Sequence, residues 1–109
     1  MASKVNSIVL NVSDLERASR FWQAALSYVP QESNPDFLND PEGRGVPLHL
    51  DDSDRTHLDL RPIEAGGDVD AEVERLIALG ASRVEWTYPD DADFVVLADT
   101  EGNLFCVVP

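Results

Sequence analysis

Asp36-Phe37-Leu38-Asn39-Asp40-Pro41-Glu42-Gly43 and Phe94-Val95-Val96-Leu97-Ala98-Asp99-Thr100-Glu101-Gly102 are two copies of one pattern. Each is a short apolar run that ends in an acidic turn. Each is followed by a second apolar run, Val46–Leu50 and Leu104–Val108. A strand-turn-strand that recurs within a chain of 109 residues predicts one fold built from two similar halves.

Working outward, the same order of elements precedes each copy. Ser7–Val12 is apolar and β-branched and reads as a strand. Ser13-Asp14-Leu15-Glu16 reads as a capping box, with Ser13 at the cap. The helix it opens carries Leu15, Ala18, Trp22 and Ala25 or Leu26 on one face, so Trp22 belongs to the core. Tyr28–Glu32 is a strand, and Pro30 places it at an edge. In the second half Thr56–Arg61 alternates as a half-buried strand. Asp68 caps a helix with Val69, Val73, Leu76 and Ile77 as its buried stripe, and Gly80 stands just past its end. Ser82–Tyr88 and Phe94–Leu97 read as strands, and Glu64-Ala65-Gly66-Gly67 as a flexible joint between the halves. Trp86 shares a face with Val84 and Tyr88, and parity does not say which face that is.

The bulk properties bound the function. The length fits a single domain, residues 1–109, with modules at about 5–52 and 55–109. A formal charge of -13 argues against nucleic acid and anionic membranes as partners and leaves room for a cationic ligand. No apolar run approaches the roughly 20 residues of a membrane span. The N-terminus lacks the apolar stretch of a signal peptide. Cys106 is the only cysteine, so no internal disulfide forms and a cytoplasmic location is expected. The acidic turns lack the ligand pattern of a calcium loop.

Taken together, four segments resemble the vicinal oxygen chelate superfamily: glyoxalase I, extradiol dioxygenases and bleomycin-resistance proteins. They are Val9–Leu15 with Phe21-Trp22, Arg55-Thr56-His57-Leu58-Asp59-Leu60, Leu76–Ala81, and Ala98–Phe105. The nearest likeness is to the small glyoxalase-like domains. The resemblance implies an α+β fold, in which two βαβββ modules form a curved eight-stranded mixed sheet with the helices on its convex side. It implies a small-molecule ligand on the concave face, and, in metal-dependent members, four side chains around one divalent cation. Those four positions fall on Ser7, on Pro47 by repeat alignment or His49 by strand parity, on His57, and on Cys106. His57 matches, the Pro47 or His49 position is arguable, and Ser7 and Cys106, the latter where the family usually has Glu, depart from the pattern, so the standard four-ligand site is not expected.

His49, His57 and Cys106 still make a set that suits Zn²⁺ with one open position. The resemblance allows no cofactor or one ion of Zn, Ni, Mn or Fe. Strand parity puts Ser7, Asn11, His49, His57, Asp59, Arg61, Leu104 and Cys106 on the concave side, and Leu58, Leu60, Phe105 and Val107 on the helix side. His57 and Asp59 have the chemistry of a base and its orienting carboxylate. Asp59 and Arg61 have equally the chemistry of a simple ion pair. Three functions fit: a binder of a small molecule without the standard metal site, a lyase or dioxygenase-type enzyme centred on His57, and metal-free sequestration of a cationic drug-like ligand. A homodimer is expected because the strand edges need cover.

Overall fold

The structure, a computed structural model, describes residues 2–64 and 66–109. The chain is α+β, with two helices and an eight-stranded mixed sheet. The strands are β1 (Ser3–Asn11), β2 (Val29–Pro30), β3 (Phe37–Asn39), β4 (Leu48–Asp51), β5 (His57–Pro62), β6 (Ser82–Arg83), β7 (Val95–Ala98) and β8 (Leu104–Val107). The helices are α1 (Leu15–Leu26) and α2 (Val69–Ala78). Neither is long and apolar enough to cross a membrane. The chain divides into two compact units, one of residues 6–56 and one of residues 57–109 with the first few residues of β1. Glu64, Gly66 and Gly67 therefore lie inside the second unit rather than between the two, and Ala65 lies outside the described residues.

In the first unit β1 runs parallel to β4, and β3 is antiparallel to β4 and β2. Leu38, Leu48 and Leu50 are its buried centre, packed by Ile8, Leu10, Val12, Leu15, Ala18, Trp22 and Tyr28. Trp22 is thus a core residue, as its helical spacing predicts. The cap of α1 is Asp14 and not Ser13: the Asp14 carboxylate accepts from the Arg17 amide at 3.0 Å. Either residue satisfies an orphan amide of the first turn, and the carboxylate adds a favourable charge at the positive end of the helix.

The second unit repeats this plan. β5 runs parallel to β8, and β7 is antiparallel to β8 and β6. Val73, Leu97 and Val107 are fully buried, with Val69, Leu76, Ile77 and Phe105 around them. Asp68 caps α2 by accepting from the amides of Asp70 and Ala71. Two sequence expectations change here. The strand expected over 82–88 is only Ser82–Arg83, because Tyr88 leaves the ladder and its hydroxyl accepts from the Val96 amide at 2.9 Å. Leu58, expected under the helix, is 42% exposed.

The repeated acidic turns are built alike. The Asp40 carboxylate accepts from the amides of Glu42, Arg44 and Gly45, and the Asp99 carboxylate from those of Glu101 and Asn103 and from the Asn103 side chain. Both carboxyls are held below the usual range, Asp40 first by the Glu42 amide and Asp99 first by the Asn103 side chain. Each turn then needs a left-handed residue, supplied by Gly43 at φ 70° and Gly102 at φ 85°. A methyl group meets nothing at either site, so the cost of Gly43→Ala or Gly102→Ala is conformational alone. Each substitution is expected to lower stability by about 1 kcal/mol in urea unfolding.

Candidate functional site

β5 and β8 build the one compact group of metal-ligand side chains among the described residues. His57 opens β5, and Asp59 follows two residues later on the same face. Cys106 lies directly opposite Asp59 in the parallel register, and Val96 of β7 lies opposite Cys106. His57 Nε2 stands 3.2 Å from Asp59 Oδ1, and the two side chains are 8% and 15% exposed. One ligand atom from each of His57, Asp59 and Cys106 lies within 4.8 Å of the others.

This donor set fits a divalent cation. Bonds of roughly 2.0–2.3 Å place the ligands of a four-coordinate ion about 3–4 Å apart, which is the scale of this group. One nitrogen, one oxygen and one sulfur suit Zn²⁺ or another borderline ion better than Mg²⁺ or Ca²⁺. Without an ion the same geometry is an imidazole-carboxylate pair, in which Asp59 fixes the orientation of the His57 ring. The face of β5 that holds this pair continues to Arg61, and the face of β8 that holds Cys106 includes Leu104.

The group differs from the expected His49, His57 and Cys106 in one member. Asp59 stands in the set, and His49 belongs to the first unit, where it stacks on Phe37 at a centroid distance of 4.1 Å and an angle of 12°. His49 also lies opposite Val9 of β1. Ser7 is fully buried, and its Oγ has no hydrogen-bond partner among the described residues. The Asn11 side chain donates to the Asp54 carbonyl at 2.6 Å, and its amide donates to Thr56 Oγ1 at 3.1 Å. Asn11 therefore ties down the loop after β4. Asp59 was readable as a partner of His57 from the His-x-Asp spacing. Its neighbour across the sheet, Cys106, depends on register, which no local pattern carries.

The glyoxalase-like domain family matches residues 7–108 of the chain. Methylmalonyl-CoA epimerase from Mycobacterium tuberculosis is similar in structure, with a TM-score of 0.65 and 21% identity over 95% of this chain and 85% of that one. NAD-dependent benzaldehyde dehydrogenase from Legionella pneumophila gives a TM-score of 0.64 and 16% identity over 97% and 96% of the two chains. A hypothetical protein from Bacillus halodurans C-125 gives 0.61 and 12% over 98% and 94%. At these identities the likeness is one of fold. No curated protein matches the chain by sequence.

Proposed function

The chain belongs to the glyoxalase-like domain family of the vicinal oxygen chelate superfamily, and from that premise we propose that it binds a small molecule over the sheet face carrying His57, Asp59 and Cys106. The observation that supports this reading is the convergence of the three donor atoms within 4.8 Å. In this proposal the three side chains hold one divalent ion of the Zn²⁺ type. Bound there, the ion supplies a Lewis-acidic position that polarises a ligand oxygen. His57 and Asp59 hold each other in place, which lowers the entropy cost of assembling the site. By register and parity Val96 and Leu104 share the sheet face of Cys106, which adds apolar side chains to the face that carries the polar group.

The test is calorimetric titration of the purified chain with Zn²⁺, Ni²⁺, Mn²⁺ and Fe²⁺. The expected result is about one ion per chain, with Zn²⁺ bound far below millimolar concentration. Binding only in the millimolar range would contradict the metal-dependent reading. The direct contact between His57 and Asp59 at 3.2 Å supports a second, metal-free reading, in which the pair hydrogen-bonds the ligand itself. We also propose a homodimer. Val29 is exposed on β2, an edge strand of only two residues, and Phe21 and Leu26 of α1 are further exposed apolar side chains of the same unit. A monomeric mass by light scattering would contradict that proposal.

A further inference from the structure

Arg61 is the feature of the second unit that packing does not account for. The chain carries 21 acidic residues, so carboxylate partners are abundant. Arg17 pairs with Asp14, Arg20 with Glu16, Arg44 with Glu42, Arg75 with Glu72 and Arg83 with Glu74. Arg61 is half-buried and makes no ion pair or side-chain hydrogen bond among the described residues. The carboxylate expected beside it, Asp59, is turned to His57 instead. Partial burial of the residue limits where its guanidinium can reach, and an arginine held on this strand face without a counter-charge beside it is open to an anionic ligand.

We infer that Arg61 anchors the carboxylate of an anionic ligand, which makes the ligand of this site a small organic acid. The inference rests on the reading that the ligand sits over His57, Asp59 and Cys106. Residues 57, 59 and 61 share one face of β5, and each step of two advances about 6.6 Å. A carboxylate held by Arg61 is therefore one short carbon chain away from Asp59. The planar fork of arginine takes a carboxylate through two parallel N–H···O bonds, which fixes orientation as well as charge. The overall charge of -13 does not oppose this. Exposed charges act weakly beyond the Debye length of about 8 Å, whereas a partly buried pair is screened much less.

The experiment is nitrogen–proton NMR of the arginine Nε–Hε groups and of the backbone in the full chain. The probes are succinate and benzoate, each against its neutral amide. The expected result is a saturable shift of the Arg61 Nε–Hε resonance by a carboxylate and none by its amide. Affinity should fall by about tenfold or more in Arg61→Gln, with a smaller loss in Arg61→Lys, which keeps the charge and loses the fork. Equal binding of acid and amide, an Arg61 resonance that neither acid moves, or wild-type affinity in Arg61→Gln would overturn the inference. The two readings separate cleanly. A chain that takes up Zn²⁺ through His57 but ignores both acids loses the anion anchor and keeps the metal site. A chain that binds an acid through Arg61, with no response of the His57 amide, keeps the anchor and loses its connection to the site.

Discussion

Glu72→Ala is expected to lower stability by about 2–3 kcal/mol at neutral pH. The Glu72 side chain is 3% exposed, and Arg75 grips it through two bonds of 2.7 Å. The Ser3 hydroxyl at the start of β1 donates to the same carboxylate. The Arg75 hydrogen bonds, followed by that of Ser3 and the Arg75 charge, outweigh burial and hold the carboxyl at about 2, against 4.5 ordinarily. A folded-state value below the unfolded one stabilises the fold at pH above the unfolded value. That contribution is lost as the pH falls from about 4.5 towards about 2. Urea unfolding at pH 7 and at pH 3 checks both parts. The wild type should lose stability between them, and Glu72→Gln should lose less, because it has no charge to titrate. Parallel losses in the two proteins would assign the acid sensitivity to other groups.

His57→Ala should weaken Zn²⁺ binding by at least about hundredfold. Removing a partner that only orients a ligand already costs ten- to hundredfold, and His57 is itself a donor in the proposed site. The effect reaches stability by mass action. At a Zn²⁺ concentration of about 100 times the dissociation constant the wild type gains about 2.7 kcal/mol, and the variant gains almost none. Thermal unfolding with and without Zn²⁺ reads this difference. His49→Ala is the comparison. Its imidazole stacks on Phe37 and stands outside the donor group, so its Zn²⁺ response should match the wild type. A loss in His49→Ala equal to that in His57→Ala would restore the His49, His57 and Cys106 set read from strand parity.

The duplicated turn carried most of the fold. Asp40 with Gly43 and Asp99 with Gly102 are local patterns whose hydrogen bonds close within a few residues, so sequence alone displays them. The helix stripes through Trp22 and Val73 were legible for the same reason, since a 3.6-residue period is a property of one segment. Local pattern fails where a distant residue decides. β1 starts at Ser3, ahead of the apolar Ser7–Val12 run, and its first residue is tied to Glu72. β6 ends at Arg83, and the Tyr88 hydroxyl accepts from the Val96 amide instead of Tyr88 joining the ladder. At the site, strand parity puts His49, His57, Asp59 and Cys106 on one side of the sheet without ordering them. It could not rank Asp59 above His49, because that depends on the register of β5 against β8. The alternation of β5 allows Asp59 to pair with either His57 or Arg61, and the geometry of the His57 contact decides between them.

In the proposed function His57, Asp59 and Cys106 act as one metal-binding site. The most direct measurement is the absorption spectrum of the chain titrated with Co²⁺, beside that of Cys106→Ser. A cobalt ion held by these three groups should give an intense sulfur-to-metal band in the near ultraviolet and strong visible bands from a low coordination number. Saturation should come at one equivalent, and Cys106→Ser should lose the ultraviolet band. A weak spectrum of hydrated Co²⁺, identical in the two proteins, would contradict the account.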